Sequence, residues 1–249
     1  MQENSALGRA LTMVRDLRQR CSWDRVQTRE TLRPYLLEEV HELDHAIGTG
    51  SPDAIRAEVA DLLLHLAWQL VLAEERNEFT ADDVAQLLEA KMRRRHPHLF
   101  DLGAEGRWET LKQRETGGRG RGRGVLDGLP PSLPDLLMAF RLQQRAAAVG
   151  FDWPDATGPA AKVREELEEV EAESAPERVD QEVGDLLFAV VNLARKRNVS
   201  PGPALERANR RFRARFETLE RLAAERGIEV PTAGLEALDR LWDEAKAAG

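Results

Sequence analysis

A chain of 249 residues with 42% hydrophobic, 32% charged and only 5% aromatic residues is long enough to bury a core of its own and to form one or two domains. Abundant Leu, Ala, Glu and Arg against sparse strand formers predict a soluble all-α protein. The net charge of −8 argues against a general nucleic-acid binder, which needs local positive charge, and the single Cys21 excludes an internal disulfide and suggests a reducing compartment.

The N-terminal stretch MQENSALGRALTMVRDL lacks a basic segment followed by an apolar core, and no apolar run nears the roughly 20 residues that span a bilayer. A cytoplasmic location with no membrane partner is expected. Leu7, Leu11, Val14 and Leu17 recur at spacings of three and four and predict an amphipathic helix over residues 5–20. Cys21-Ser22-Trp23-Asp24 breaks it. The next helix is read from Leu32 to Ile47, with Pro34 in its first turn and Gly48-Thr49-Gly50 at its end. Ser51-Pro52 opens a third, running to about Arg76, whose apolar middle from Val59 to Leu72 predicts a place deep in a bundle. Thr80 with Asp82 and Asp83 opens a fourth, which ends in Lys91-Met92-Arg93-Arg94-Arg95-His96 before Pro97. A short helical piece follows around Trp108–Lys112.

Gly117 to Gly124 alternates glycine and arginine and reads as a flexible linker. An RNA contact is the competing reading, and the absence of interleaved aromatics weighs against it. The expected organisation is therefore an N-terminal unit over residues 1–116, a linker over 117–131 and a C-terminal unit over 132–249. In that unit, helices are expected from Ser132 through Val149, from Pro159 to Glu173, from a capping box at Ser174-Ala175-Pro176-Glu177 to about Arg197, from Ser200-Pro201 through an arginine-rich stretch, and from Thr232 to Ala247. Gly150-Phe151-Asp152-Trp153-Pro154 is the break that matches Cys21 to Asp24.

The second half repeats the first. Glu38-Glu39-xx-Glu42 followed by Glu58-xx-Asp61-Leu62-Leu63 returns as Glu165-Glu166-xx-Glu169 followed by Glu182-xx-Asp185-Leu186-Leu187. Glu38 and Glu165 lie 127 residues apart, Glu58 and Glu182 lie 124 apart, and Lys91 and Arg211 lie 120 apart. Trp108 and Lys112 recur as Trp242 and Lys246. Kept order with varying gaps marks an internal duplication.

Residues three apart on a helix share a face. Glu39 with Glu42, and Glu58 with Asp61, therefore project in pairs, as do Glu166 with Glu169 and Glu182 with Asp185. A short loop folds each helix pair antiparallel, so four carboxylates meet near the bundle interior, where mutual repulsion calls for a cation. Oxygen donors without Cys or clustered His favour Mg²⁺, with Mn²⁺ as a substitute, over Zn²⁺. Mg²⁺ shares its sphere with phosphates, so the chemistry indicated is metal-assisted cleavage of a nucleoside triphosphate. Glu38 and Glu165, about 100° around the helix, are placed to orient the attacking water. Arg207, Arg211, Arg178 and Lys162 supply positive charge for the phosphates in the second repeat, as Lys91 and Arg95 do in the first. Trp242 and Lys246 add a stacking surface and one more charge.

CSWDRVQTRETLRPYLLEEVHEL, EVADLLLHL and KMRRRHPHLF in the first half, with FDWP, KVREELEEV, EVGDLLFAVVNLAR, ANRRFRARF and LWDEAK in the second, resemble the bacterial MazG family over nearly the whole chain. The resemblance implies an all-α nucleoside triphosphate pyrophosphohydrolase fold and a homodimer. It also implies Mg²⁺-dependent hydrolysis of many ribo- and deoxyribonucleoside triphosphates, ATP among them, to monophosphate and pyrophosphate, in a nucleotide-pool cleaning role linked to starvation signalling. It implies Glu166, Glu169, Glu182 and Asp185 as metal ligands, Glu165 as the water-orienting acid, and Lys162, Arg178, Arg207, Arg211, Trp242 and Lys246 as nucleotide contacts. The first repeat keeps Glu38, Glu39, Glu42, Glu58 and Asp61 but has Tyr35 and Ala54 where the second has Lys162 and Arg178. Turnover is therefore expected in the second repeat. Other readings are a selective dUTP- or dCTP-type pyrophosphatase and a non-enzymatic interaction module. His65, one turn after Asp61, is read as a support behind the acids or as a satisfied core histidine, His96 and His98 as helix-end caps, and Trp23 and Trp153 as base-stacking or core side chains.

Overall fold

A computed structural model describes residues 5–100 and 124–247. The described residues hold nine α-helices, three short 3₁₀ turns and no strand, so the chain is all-α. None of these helices is long and apolar enough to cross a membrane. The chain divides into two compact units, Met1–Leu111 and Lys112–Gly249. The Trp108–Lys112 piece and the arginine-glycine run over 117–123 lie outside the described residues. From Gly124 to Pro134 the chain runs through turns.

In the first unit, α1 (Ala6–Arg20), α2 (Arg29–Thr49), α3 (Pro52–Glu75) and α4 (Ala81–Arg95) follow one another. Helix α2 begins three residues earlier than its apolar pattern suggests. Thr28 caps it: the Thr28 hydroxyl accepts from the Thr31 amide at 3.3 Å, and the Thr31 hydroxyl accepts from the Thr28 amide at 2.8 Å. Pro34 consequently falls in the second turn, where its missing N–H leaves the Glu30 carbonyl without an intrahelical donor. Gly50, at φ +73°, closes α2 in the left-handed conformation. Ser51 at once caps α3, accepting from the Ala54 amide, so the two helices pack together with a minimal turn. Thr80 caps α4 in a reciprocal pair with Asp83.

The core of this unit gathers Leu11 and Val14 of α1, Leu32 of α2, Trp68, Val71 and Leu72 of α3, and Ala81 of α4. Each fully buried Leu or Val contributes about 1.5–3 kcal/mol. Trp68 is 2% exposed, and the Arg18 guanidinium lies 5.8 Å from its ring centre. Arg18 also grips Glu75 and the carbonyls of Asp24, Arg25 and Gln27. That clamp fixes the break after α1. Only the C-terminal half of α3 is deep. Val59, Leu64 and Leu66 are exposed, because three helices cannot cover both faces of α3.

The second unit comprises α5 (Asp135–Ala148), α6 (Thr157–Ala172), α7 (Pro176–Lys196), α8 (Pro201–Glu225) and α9 (Leu235–Ala247). Helices α6 and α7 pack along their length, α5 lies against α7 and α8, and α9 lies against α8. Leu219, Ala223 and Leu241, with Ile228, Leu238 and Trp242 around them, tie α8 to α9. The capping box expected at Ser174 does not form. Ala175 holds the N-cap without a side-chain bond, and the Glu173 carboxylate accepts from the Ser174 and Ala175 amides instead. The last helix starts at Leu235 rather than Thr232, after a 3₁₀ turn over Val230–Thr232. At the break before α6, Arg195 and Lys196 of α7 hold Asp152, and Lys196 also donates to the Trp153 carbonyl at 2.5 Å.

Candidate functional site

Helices α6 and α7 bring Glu166, Glu169 and Glu182 together, with one carboxylate oxygen of each within 4.8 Å of the others. Helices α2 and α3 do the same for Glu39, Glu42 and Glu58. The predicted spacing is therefore met twice: an i, i+3 pair on one helix faces a glutamate of the next. Asp61 and Asp185 stand one turn beyond Glu58 and Glu182 on α3 and α7, and both are exposed. Only Glu166 is buried, at 4% exposure. The expectation of four carboxylates near the bundle interior is met in part: Glu166 is buried, Glu39, Glu58 and Glu182 are half-buried, and Glu42, Glu169, Asp61 and Asp185 are exposed beside the exposed apolar side chains Val59, Val183 and Leu187.

The two sites differ in their counter-charge. In the second, the Lys162 ammonium lies 2.5 Å from Glu166 and 2.8 Å from Glu165, and those bonds push the lysine pKa well up. Desolvation, then the hydrogen bond and negative charge of Glu166, raise the carboxyl of Glu169 above its ordinary value. In the first, burial raises Glu39, and Asp61, Glu42, Glu58 and Glu38 add to the effect. Tyr35, at the Lys162 position, turns its ring edge-on to Trp23 at 6.3 Å and supplies no cation. Both clusters fit a divalent metal by donor chemistry: oxygen ligands only, crowding that raises Glu39 in one and Glu169 in the other, and relief when a cation shares them.

Other predicted positions are more scattered. Glu38 and Glu165 are exposed beside their clusters. Arg178 is exposed and 3.6 Å from Glu173. Arg207 and Arg211 are exposed on α8. Trp242 packs on Phe212 at 5.2 Å between ring centres, and Lys246 pairs with Asp243 at 2.6 Å. Lys91 and Arg95 are half-buried on α4. His65 is buried, but not satisfied. Its Nδ1 has no partner, and its Nε2 is 3.9 Å from Glu39, beyond hydrogen-bond reach. His96 Nδ1 lies 2.9 Å from the Met92 carbonyl, the helix-end role expected of it. Trp23 and Trp153 are half-exposed rather than core residues.

Sequence reasoning missed a cavity of about 460 Å³ beside the second cluster. Lys162, Glu166 and Asp185 lie in its wall, together with Gln143, Trp153 and Asn192. Arg195 organises this wall. It donates to Asn192 Oδ1 at 2.7 and 3.0 Å and reaches both oxygens of Asp152 at 2.5 and 3.1 Å. Polar Gln143 and Asn192 at buried helical positions were the available signal.

Residues 27–100 match the MazG nucleotide pyrophosphohydrolase domain. The chain is 41% identical over 229 residues to the nucleoside triphosphate pyrophosphohydrolase/pyrophosphatase MazG of Thermotoga maritima, covering 91% of this chain and 89% of that protein. It is 39% identical over 255 residues to the nucleoside triphosphate pyrophosphohydrolase of Escherichia coli K12, covering 96% and 97%. It is also 39% identical over 248 residues to the uncharacterized protein YabN of Bacillus subtilis, of which it covers 50%. With two carboxylate clusters in tandem and identity running through both, this chain belongs to the MazG family.

Proposed function

We propose that the protein hydrolyses nucleoside triphosphates to the monophosphate and pyrophosphate, and that the second repeat does so. The observation that carries this reading is the Glu166–Glu169–Glu182 cluster with Lys162 bonded at its edge. A cluster of acids alone is a cation site. An acid cluster with an ammonium bonded at its edge is suited to a bound cation and a polyphosphate together. The names of the Thermotoga maritima and Escherichia coli relatives support the same substrate class.

In this reading Glu166, Glu169, Glu182 and Asp185 hold Mg²⁺, with Mn²⁺ able to replace it. The cation supplies neutralisation of phosphate oxygens and acidification of a bound water. Lys162 leaves Glu165 and Glu166 for the phosphate oxygens. Glu165, freed from the lysine, orients the attacking water and accepts its proton. Arg178, Arg207, Arg211, Trp242 and Lys246 are proposed to hold the remaining phosphates and the nucleoside, across a broad range of bases. Glu39, Glu42, Glu58 and Asp61 form a second cation site, with Glu38, Lys91 and Arg95 around it. Without a Lys162 equivalent, that site turns over slowly or not at all.

A homodimer is part of the proposal. Val183, Leu187 and Val190 on α7, and Leu205, Phe212 and Phe216 on α8, are exposed at helical spacings of three, four and seven, the pattern of a helix face that another helix covers. Light scattering reads this directly. Product analysis tests the reaction. Pyrophosphate as the primary product, lost in Glu166→Gln by roughly 100-fold or more and kept in Glu39→Gln, is the expected result. Orthophosphate as the primary product, or equal loss in both variants, sinks the reading.

A further inference from the structure

Beside the first cluster, α2 carries two exposed histidines, His41 and His45. They stand one turn apart in the run His41-Glu42-Leu43-Asp44-His45. Residues four apart on a helix are neighbours, with Cβ atoms roughly 5–6 Å apart, so both imidazoles rise from one face. Both line an open groove of about 660 Å³ together with Glu38 and Glu42 of α2 and Ala54 and Glu58 of α3. Neither ring is held by a hydrogen bond or an ion pair among the described residues, so their ring nitrogens are available to a ligand. The usual structural roles do not fit them. Neither is a core histidine, and α2 runs on to Thr49, where Gly50 caps it.

The run is the H-E-x-x-H pattern, in which two histidines on one helix face hold Zn²⁺, the glutamate serves as a base, and a further ligand comes from elsewhere in the fold. Here Glu42 already has a carboxylate oxygen grouped with those of Glu39 and Glu58. Its commitment to that cluster removes it as a base and leaves metal ligation as what the pattern can do. A carboxylate has two oxygens, so Glu42 can give one to the cluster and the other to an ion held by the histidines. Imidazole nitrogen also changes the choice of metal. It suits Zn²⁺, Ni²⁺ and Cu²⁺, whereas Mg²⁺ takes oxygen. The second repeat offers no such donor. The 127-residue offset that aligns Glu38 with Glu165 sets Glu168 against His41 and Ala172 against His45, and all five histidines of the chain lie between positions 41 and 98. An oxygen-only donor set therefore describes the second repeat but not the first.

We propose that His41 and His45, with Glu42 between them, form a transition-metal site found only in the first repeat, that it takes Zn²⁺ in preference to Mg²⁺, and that Glu42 links it to the carboxylate cluster. Two imidazoles and one carboxylate fill three of the four places that Zn²⁺ uses, and the open groove leaves the fourth to water or to a ligand. The proposal does not depend on the hydrolase reading. It concerns what the repeat without a Lys162 equivalent holds, not what it turns over.

The test uses the full chain without a polyhistidine tag, in excess Mg²⁺ so that the carboxylate clusters have the ion they suit. Titration calorimetry with Zn²⁺ shows a single strong site in wild type. His41→Ala and His45→Ala, each at an exposed position, weaken it by about 100-fold or more, since the outer partners of a metal ligand alone are worth about 10–100-fold, and helix content by circular dichroism is unchanged. His96→Ala and His98→Ala, at the other pair of neighbouring histidines, leave it in place. Cu²⁺ reports the donors directly: paramagnetic resonance shows coupling to two imidazole nitrogens in wild type and to one in His41→Ala or His45→Ala. Zn²⁺ affinity unchanged in either of those variants, or Cu²⁺ without nitrogen coupling in wild type, overturns the proposal. Zn²⁺ that Mg²⁺ displaces is held by the carboxylates alone and overturns it too. Pyrophosphate release enters none of these measurements, so failure here leaves the hydrolase reading standing, and failure of that reading leaves this site untouched.

Discussion

Asp152→Asn removes one charge and no volume from the break that precedes α6. Asp152 receives Arg195 at 2.5 and 3.1 Å and Lys196 at 3.3 Å. The three side chains are 23%, 11% and 14% exposed. Exposed ion pairs contribute about 0–1 kcal/mol, and breaking a fully buried one costs about 3–5 kcal/mol. This cluster lies between those limits, and roughly 2 kcal/mol is the expected loss at neutral pH. For a unit of this size that is a fall in melting temperature of roughly 6–10 °C. The pH dependence has a definite sign. The Arg195 hydrogen bond, offset in part by burial and helped by Lys196, holds the Asp152 carboxyl below its ordinary 3.8. Its contribution is complete above the unfolded value and is lost as pH falls through the lower folded value. Melting of wild type and variant by circular dichroism should therefore differ by a constant gap from pH 7 to about pH 5, and the gap should close as pH falls below about 4. A gap under about 1 °C at pH 7, or one that widens in acid, refutes the argument. Because Arg195 also positions Asn192, the variant should raise KM for nucleotides more than it lowers kcat.

Lys162→Met should lower kcat/KM by roughly 10²–10³, the usual loss on removing one preorganised group from a developing charge, with helix content unchanged by circular dichroism. Gly158→Ala pushes against the Trp153 indole and should cost about 1–3 kcal/mol in urea unfolding, with a shift of tryptophan emission that a distant substitution does not give. Trp68→Ala empties the core position of the first repeat and should cost about 3–5 kcal/mol. A loss below about 1 kcal/mol would mean that Trp68 is not central to that core.

The acid clusters were legible because their chemistry is local. An i, i+3 pair must share a helix face, and a two-residue turn such as Gly50-Ser51 or a short one such as Glu173 to Ala175 must fold the next helix back. No long-range information is needed to place Glu39, Glu42 and Glu58 together. Helix ends were legible where a side chain caps them, as at Thr80, and misjudged where the cap lies upstream of the apolar pattern, as at Thr28. The burial of Asp61 and Asp185 was misjudged for a different reason. Their apolar flanks, Val59, Val183 and Leu187, imply cover, and in the single chain those flanks are exposed.

The cavity was not legible as a motif because no run of sequence encodes it. Its wall draws on the turn before α5, α5 itself, the break after it, α6 and α7. Yet the duplication carried the clue. Once Glu58 is set against Glu182, α3 from Pro52 to Leu72 has a counterpart on α7 at every residue, and the largest change of size on the buried side is Trp68 against Asn192. The two helices share a carboxylate face and differ on the face behind it. A metal cluster tolerates that divergence, because its ligands are fixed by the i, i+3 rule alone. The space beside it does not: Trp68 is packed in the core of the first repeat, whereas Asn192 lines the cavity of the second. Duplicate units of this kind can therefore keep the same acids and differ, two turns further along the same helix, in the room left beside them.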